Sequence, residues 1–312
     1  MKYKNYKAHL ALLGANIIYG GNFLIAKGLM PNYLQPFALV LLRVVGAGLL
    51  FWIIKLFVKE KIEKKDLPLL AFCGLFGVSA NMLFFFYGLS LTSPIDASII
   101  MTSTPVIVLI LSAFILKEKI TRNKYIGILI GGIGAAILIL YGKTAAGTSS
   151  IIGNLFVFFN ATSYGFYLVL VKPLMKKYKA FTVISWMFMF GFAFTIPFGI
   201  GDLAITDFSA FTTNAYLSLA YVIVGTTFLT YLLNIYALNY VSPSVNGSYI
   251  YLQPVVSFIM VSLSTYLFND TTYAKDISMV KILSCIMVIA GVYLISRKKA
   301  LSFKLRLRST KK

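Results

Sequence analysis

Apolar runs alternate with short polar breaks along the whole chain, and ten of them can be counted: about 8–30, 36–58, 67–91, 94–116, 123–141, 151–173, 181–201, 214–239, 243–268 and 279–296. Runs of roughly 17 to 25 apolar residues are long enough to cross a hydrocarbon core of about 30 Å as a helix. The pattern predicts an all-α membrane protein with ten transmembrane helices. Among the breaks, Glu60 to Asp66 is a charge cluster and Gly142 to Ser150 a small, flexible Gly/Thr/Ser joint. That joint divides the chain into a first unit, 1–145, and a second, 146–312, the latter ending in a basic tail. The basic start, Met1 to Lys7, has the look of a signal peptide, but the run behind it is too long and lacks a small-x-small cleavage site before Pro31, so it is read as the first span.

The two units repeat one another. Tyr87, Leu89, Ser93, Pro94 and Pro105 return as Tyr236, Leu238, Ser242, Pro243 and Pro254, all at an offset of 149. Tyr19-Gly20, Lys27 and Leu29-Met30 return as Tyr164-Gly165, Lys172 and Leu174-Met175 at an offset of 145, and Lys124 and Gly134 as Lys281 and Gly291 at 157. Proline at a first helical position costs no hydrogen bond, whereas an interior one frees a carbonyl and bends the helix. Pro94, Pro105, Pro243 and Pro254 are thus predicted to bound or bend spans four and nine, as hinges. Five spans per unit is an odd number, so the halves must lie inverted in the membrane, an arrangement typical of secondary transporters.

Composition agrees: 59% of the 312 residues are hydrophobic, 12% are charged, and mean hydropathy is +0.85. The net charge of +20 follows topology. Assigning alternate loops to opposite sides puts Lys2, Lys4, Lys7, the basic residues of 55–65, 117–124 and 172–179, and the tail after Arg297 on one side, against Lys143, Lys275 and Lys281 on the other. By the positive-inside rule both termini are expected in the cytoplasm, and the compact loops suit a bacterial inner membrane. The basic residues flank spans without aromatic partners, so nucleic acid is not expected as a partner. Cys73 and Cys285 sit in apolar runs and read as small buried hydrophobes.

Tyr19-Gly-Gly-Asn-Phe23 followed by Lys27, Arg43 in the second span, and the run from Pro105 to Leu116 closing on Lys117-Glu118-Lys119 resemble the EamA repeat of the drug/metabolite transporter superfamily. The resemblance covers two units, about 8–141 and 151–296. It implies a ten-helix exporter or exchanger of small metabolites, with amino acids, nucleosides and related solutes as substrate classes. The second unit departs from the pattern: Asn269-Asp270 stands where the first has Glu118, and Arg43 has no counterpart.

Chemistry other than transport finds little support. Gly142-Lys143-Thr144 lacks the glycine a phosphate loop needs five residues earlier, where Ile137 stands. Gly127, Gly131 and Gly134 instead permit close helix packing, within the bundle or in a homodimer. His9 reads as an interfacial side chain. All nine acids, Asp96 included, are read as lying at or near water, so no catalytic set, metal cluster or cofactor site assembles at membrane depth and proton coupling through a membrane carboxylate is not expected.

Two cations lie within spans. Lys27 is near enough to the outer end of its helix to snorkel, while Arg43, about 10 Å inside span two, calls for a bundle-facing role. Asp96 could pair with either, or one of them could meet a substrate carboxylate. Polar residues stripe single helical faces: Asn16, Tyr19, Phe23 and Lys27 in span one; Asn160, Tyr164 and Tyr167 in span six; Thr227, Thr230, Tyr231 and Asn234 in span eight; Asn246, Tyr249 and Gln253 in span nine. Asn81 and Thr102 add points in spans three and four. Each stripe could be interhelical glue; together they predict a polar, aromatic-lined cavity. The expected substrate-binding set is Asn16, Tyr19, Lys27, Arg43, Asn81, Thr102, Asn160, Tyr164, Asn234, Asn246, Tyr249 and Gln253. The reading is a secondary transporter of small metabolites such as amino acids, working in the lipid bilayer by alternating access. Rivals are a nucleotide-sugar or phosphorylated-metabolite exchanger, which needs more cations, and a non-transporting scaffold or lipid-handling protein.

Overall fold

The computed structural model describes residues 2–115, 122–141, 150–240, 246–247, 249–269, 271–273 and 279–296. Among these residues the regular elements are all helical and group into ten segments. The first unit holds α1 (Lys2–Leu29), α2 (Pro36–Leu56), a third segment of α3 (Leu67–Gly74) and α4 (Ala80–Leu91), a fourth of α5 (Pro94–Met101) and α6 (Thr104–Ile115), and α7 (Arg122–Tyr141). The second holds α8 (Ile151–Lys177), α9 (Ala180–Ala204), an eighth segment of α10 (Thr213–Ala220) and α11 (Thr230–Leu238), then α12 (Leu252–Phe268) and α13 (Met279–Ser296). Eight segments have the length and hydropathy to cross a membrane; the fifth and tenth have shorter apolar cores, Tyr125–Gly134 and Met279–Gly291.

Packing follows the inverted repeat. The second segment lies on the seventh and the fifth on the tenth, each against its own repeat counterpart. The third packs on the sixth as the eighth packs on the first, and the fourth packs on the sixth as the ninth packs on the first. Small residues allow these approaches. A Cβ on Gly88 would stand 2.8 Å from Gly153 O, fixing how closely α4 crosses α8. One on Gly291 of α13 would stand 2.6 Å from both Gly127 O and Gly131 N of α7. The small-residue face of α7 is therefore used inside the bundle and covered by α13.

Helix interruptions also repeat. π-helical turns at Leu75–Ser79 and Tyr221–Leu229 join α3 to α4 and α10 to α11, and they overlap at the offset of 149. Such turns displace carbonyls from the regular ladder, and side chains collect them: Ser163 Oγ donates to Phe76 O at 2.8 Å and Tyr231 Oη to Gly77 O at 2.7 Å. Pro94 opens α5 behind Ser93, whose hydroxyl accepts from Asp96 N at 3.1 Å as an N-cap. Pro105, in the first turn of α6, cannot donate to Met101 O; Thr104 Oγ1 does so instead, at 2.7 Å. Thr102 and Ser103 hydroxyls bond Ile99 O and Ile100 O in the same way, so the break between α5 and α6 leaves few bare carbonyls. Pro254 is the third residue of α12, after a 3-10 turn at Tyr249–Tyr251, and Pro243 lies outside the described residues.

At each end of the bundle a tyrosine crosses between the units. Tyr178, after α8, donates to Asp66 Oδ2 at 2.5 Å and accepts from Glu63 N at 3.1 Å. Lys177 beside it reaches Glu63 at 2.7 Å and Asp66 at 2.5 Å. Tyr33, after α1, hydrogen-bonds Thr212 Oγ1 at 3.3 Å, with its ring 5.3 Å from that of Phe211. Tyr33 and Tyr178 are 145 residues apart, and Glu63 and Thr212 are 149 apart. These closures occupy repeat-related positions, yet one is ionic and the other neutral. Hydrogen bonds from Lys177, then Lys65, hold the Glu63 carboxyl below its usual range.

Candidate functional site

Between the two units lies a partly open cavity with about 700 Å³ of empty space, some of it continuous with the outside. α1 contributes Asn16, Tyr19, Asn22 and Phe23; α2 contributes Arg43; α4 contributes Asn81, Met82, Phe85 and Phe86. Met101 closes one wall from the end of α5. The second unit supplies Asn160 and Tyr164 from α8, Tyr231 and Asn234 from α11, and Asn246, Ile250 and Gln253 from the ninth segment. The lining combines amide groups with aromatic faces, and Arg43 is the one ionisable cation in it among the described residues.

Arg43 is 4% exposed and held on three sides. Its Nε donates to Thr227 Oγ1 at 2.8 Å, one Nη reaches Thr226 O at 3.5 Å, and the guanidinium lies 4.3 Å from the centre of the Phe86 ring. No ion pair joins Arg43 to a carboxylate among the described residues. Neutral oxygens and a ring face orient the group without cancelling its charge, which leaves it able to take an anion. Its repeat counterpart at an offset of 145 is Phe188, a fully buried ring 4.9 Å from Phe51 and 5.1 Å from Tyr231.

Several amides are already engaged with the protein. Gln253 Nε2 donates to Asn16 Oδ1 at 2.8 Å, and Asn16 Nδ2 donates to Leu12 O at 2.8 Å, tying the ninth segment to the first. Asn234 Nδ2 donates to Thr230 O at 2.9 Å, and Asn160 Nδ2 to Asn81 O at 2.7 Å. In contrast, Oδ1 of Asn22 and Oδ1 of Asn160 are buried without a donor among the described residues.

Nine of the twelve sequence-predicted residues line this cavity: Asn16, Tyr19, Arg43, Asn81, Asn160, Tyr164, Asn234, Asn246 and Gln253. Three do not. Lys27 Nζ donates to Leu89 O at 2.8 Å and Ser90 O at 2.6 Å, where a cation complements the carboxyl end of α4. Thr102 is fully buried and bonds its own turn, and Tyr249 Oη meets His9 Nδ1 at 2.7 Å. Asn22 and Tyr231 were not in the expected set. Asn22 could have been found at i+3 from Tyr19 on the polar face of span one; Tyr231 already belonged to the stripe on span eight.

The placement of Asp96 needs correction. Read from sequence as lying near water, it is fully buried, and its Oδ1 is 2.7 Å from Nζ of Lys281, itself 2% exposed. In place of Lys27 or Arg43, the partners the sequence offers for Asp96, α13 brings Lys281 in from the other unit.

An inverted ten-segment bundle around a cavity lined by amide groups, aromatic rings and one guanidinium defines a membrane transporter of small molecules. The two units, residues 6–140 and 151–297, each match the EamA-like transporter family, and the chain belongs to that family, within the drug/metabolite transporter superfamily. An uncharacterized transporter of Archaeoglobus fulgidus is 27% identical over 288 residues, 92% of this chain and 98% of that one. YetK, an uncharacterized transporter of Bacillus subtilis, is 25% identical over 302 residues, 95% of this chain and 88% of its own. A Streptantibioticus cattleyicolor protein named "Probable terminal-alkyne amino-acid exporter" is 29% identical over 133 residues, 43% of this chain and 44% of that protein. A crystal structure with 18% identity superposes with a TM-score of 0.62, covering 93% of this chain and 97% of that one; the likeness is one of fold.

Proposed function

We propose that the protein exports or exchanges small metabolites that carry a carboxylate, amino acids among them, by alternating access of its two inverted units. The observation that carries this reading is Arg43: a buried guanidinium in a cavity without a carboxylate among its described lining residues. A cargo carboxylate would accept from its remaining N–H groups, and the tyrosine and phenylalanine rings would cover an apolar or aromatic remainder. The similarity to a protein named as an amino-acid exporter supports the same class. A phosphorylated cargo carries about two charges and has one cation to meet it here, so that reading is less well supported.

Alternating access is supported by the repeat-related tyrosine closures, one at each end of the bundle, and by the breaks at Pro94 and Pro105 beside the cavity. The charge distribution favours both termini in the cytoplasm of a bacterial inner membrane.

The test uses proteoliposomes loaded with unlabelled amino acids and measures counterflow of a labelled one. Wild-type protein should accumulate label, and Arg43→Gln should lose most of it while eluting as a monodisperse species in detergent. Counterflow at the wild-type rate in Arg43→Gln would refute the role of the guanidinium.

A further inference from the structure

We infer that Asn22 and Asn160 form an acceptor subsite for a primary amine on the cargo, distinct from Arg43. The inference rests on the carboxylate reading above and extends it to a second functional group. Asn22 is 3% exposed and Asn160 2%, both line the cavity, and Oδ1 of each is buried without a donor among the described residues. Buried carbonyl oxygens normally find a donor, and leaving one unmatched costs free energy. At Asn160 the edge of the amide is fixed, because Nδ2 is committed to Asn81 O at 2.7 Å and only the oxygen remains for a ligand.

The two oxygens come from opposite units, Asn22 on the first segment and Asn160 on the sixth, which are repeat counterparts. Arg43 supplies donors, so a cargo bearing only a carboxylate would satisfy the guanidinium and leave both oxygens bare. An ammonium has three N–H groups, more donors than the two oxygens require. Because the described lining contains no acid, the amine would be held by neutral acceptors, and its presence would be sensed by geometry rather than by net charge. Acylation removes the charge and leaves one N–H, and a quaternary ammonium has none.

The experiment is calorimetric binding to the full-length protein purified in detergent, with three probes: L-phenylalanine, 3-phenylpropionate, which lacks the amine, and phenethylamine, which lacks the carboxylate. The wild type should bind L-phenylalanine about tenfold or more tighter than 3-phenylpropionate. Asn22→Leu should bring that ratio close to one without weakening 3-phenylpropionate, and it removes an oxygen that has no donor to lose. Asn160→Leu should do the same, although it also cuts the link from α8 to α4. Asn22→Asp should tighten phenethylamine about tenfold by adding a counter-charge.

Equal wild-type affinity for L-phenylalanine and 3-phenylpropionate would overturn the amine subsite and leave the carboxylate reading standing; the two oxygens would then hold water. Loss of both probes to the same extent in Asn22→Leu would also overturn it, by marking the residue as structural. If the wild type binds neither carboxylate probe, the carboxylate reading falls first.

Discussion

Replacing Lys281 by Met tests the ion pair that sequence alone had not placed. Asp96 is fully buried and Lys281 2% exposed, with 2.7 Å between Oδ1 and Nζ, so water screens the pair little. Removing one member leaves a carboxylate in the bundle without that counter-charge, an effect that costs about 3–5 kcal/mol in buried pairs. Asp96→Asn should cost less than Lys281→Met, because the lysine can swing its long stem toward the nearby end of α13. The double variant should recover much of the loss, since two neutral groups of similar volume replace two charges, giving a coupling energy of about 2 kcal/mol or more. The assay is the thermal unfolding midpoint of purified protein in one detergent, read for wild type, both single variants and the double. At roughly 2 °C per kcal/mol, Lys281→Met should fall by about 6–10 °C. Additive shifts, with the double variant equal to the sum of the singles, would show that the two side chains do not act as a pair.

Gly291→Ala puts a methyl 2.6 Å from two backbone atoms of α7 and should destabilise by about 1–3 kcal/mol, seen as a lower unfolding midpoint; Gly132→Ala, with nothing near its Cβ, should leave the midpoint unchanged. Tyr178→Phe removes the hydroxyl between Asp66 and Glu63 N and should cost about 1 kcal/mol by the same measurement. The Glu63 carboxyl is held low by Lys177, so its stabilising contribution is present above the ordinary carboxylate pKa and disappears as pH falls through the lowered folded value. The difference in midpoint between wild type and Glu63→Gln should therefore be flat near neutrality and close at acid pH; a difference that persists there would refute the assignment.

How much could be read from the chain depended on the kind of signal. Segments are specified by long apolar runs, and the inverted repeat by identities such as Tyr87/Tyr236 and Pro105/Pro254, so the architecture was legible. Polar stripes brought Asn16, Tyr19 and Asn160 to one cavity because a helical face is a local property. What a long or flexible side chain does with its last few ångströms is not local. Lys27 shares the face of Tyr19 yet turns to the end of α4, and Tyr249 shares the face of Gln253 yet meets His9. Asp96 and Lys281 lie far apart in the chain and in different units, so no periodicity links them. The π turns were also invisible, since the single glycine each contains, Gly77 and Gly225, does not by itself distinguish a π turn from ordinary helix.

Where the first unit has Arg43 the second has Phe188, and that mismatch sets a limit on the symmetry of the cavity. A two-fold arrangement lets either unit play the part of the other as the cavity turns from one face of the membrane to the opposite one. On the carboxylate reading proposed above, the cargo would have no such freedom: its acidic end would meet a guanidinium from the first unit, while the related place in the second holds a packed phenyl ring. Duplication made the two units a pseudo-two-fold pair; at this position the pair is unmatched, and among the described lining residues positive charge stands on one side alone.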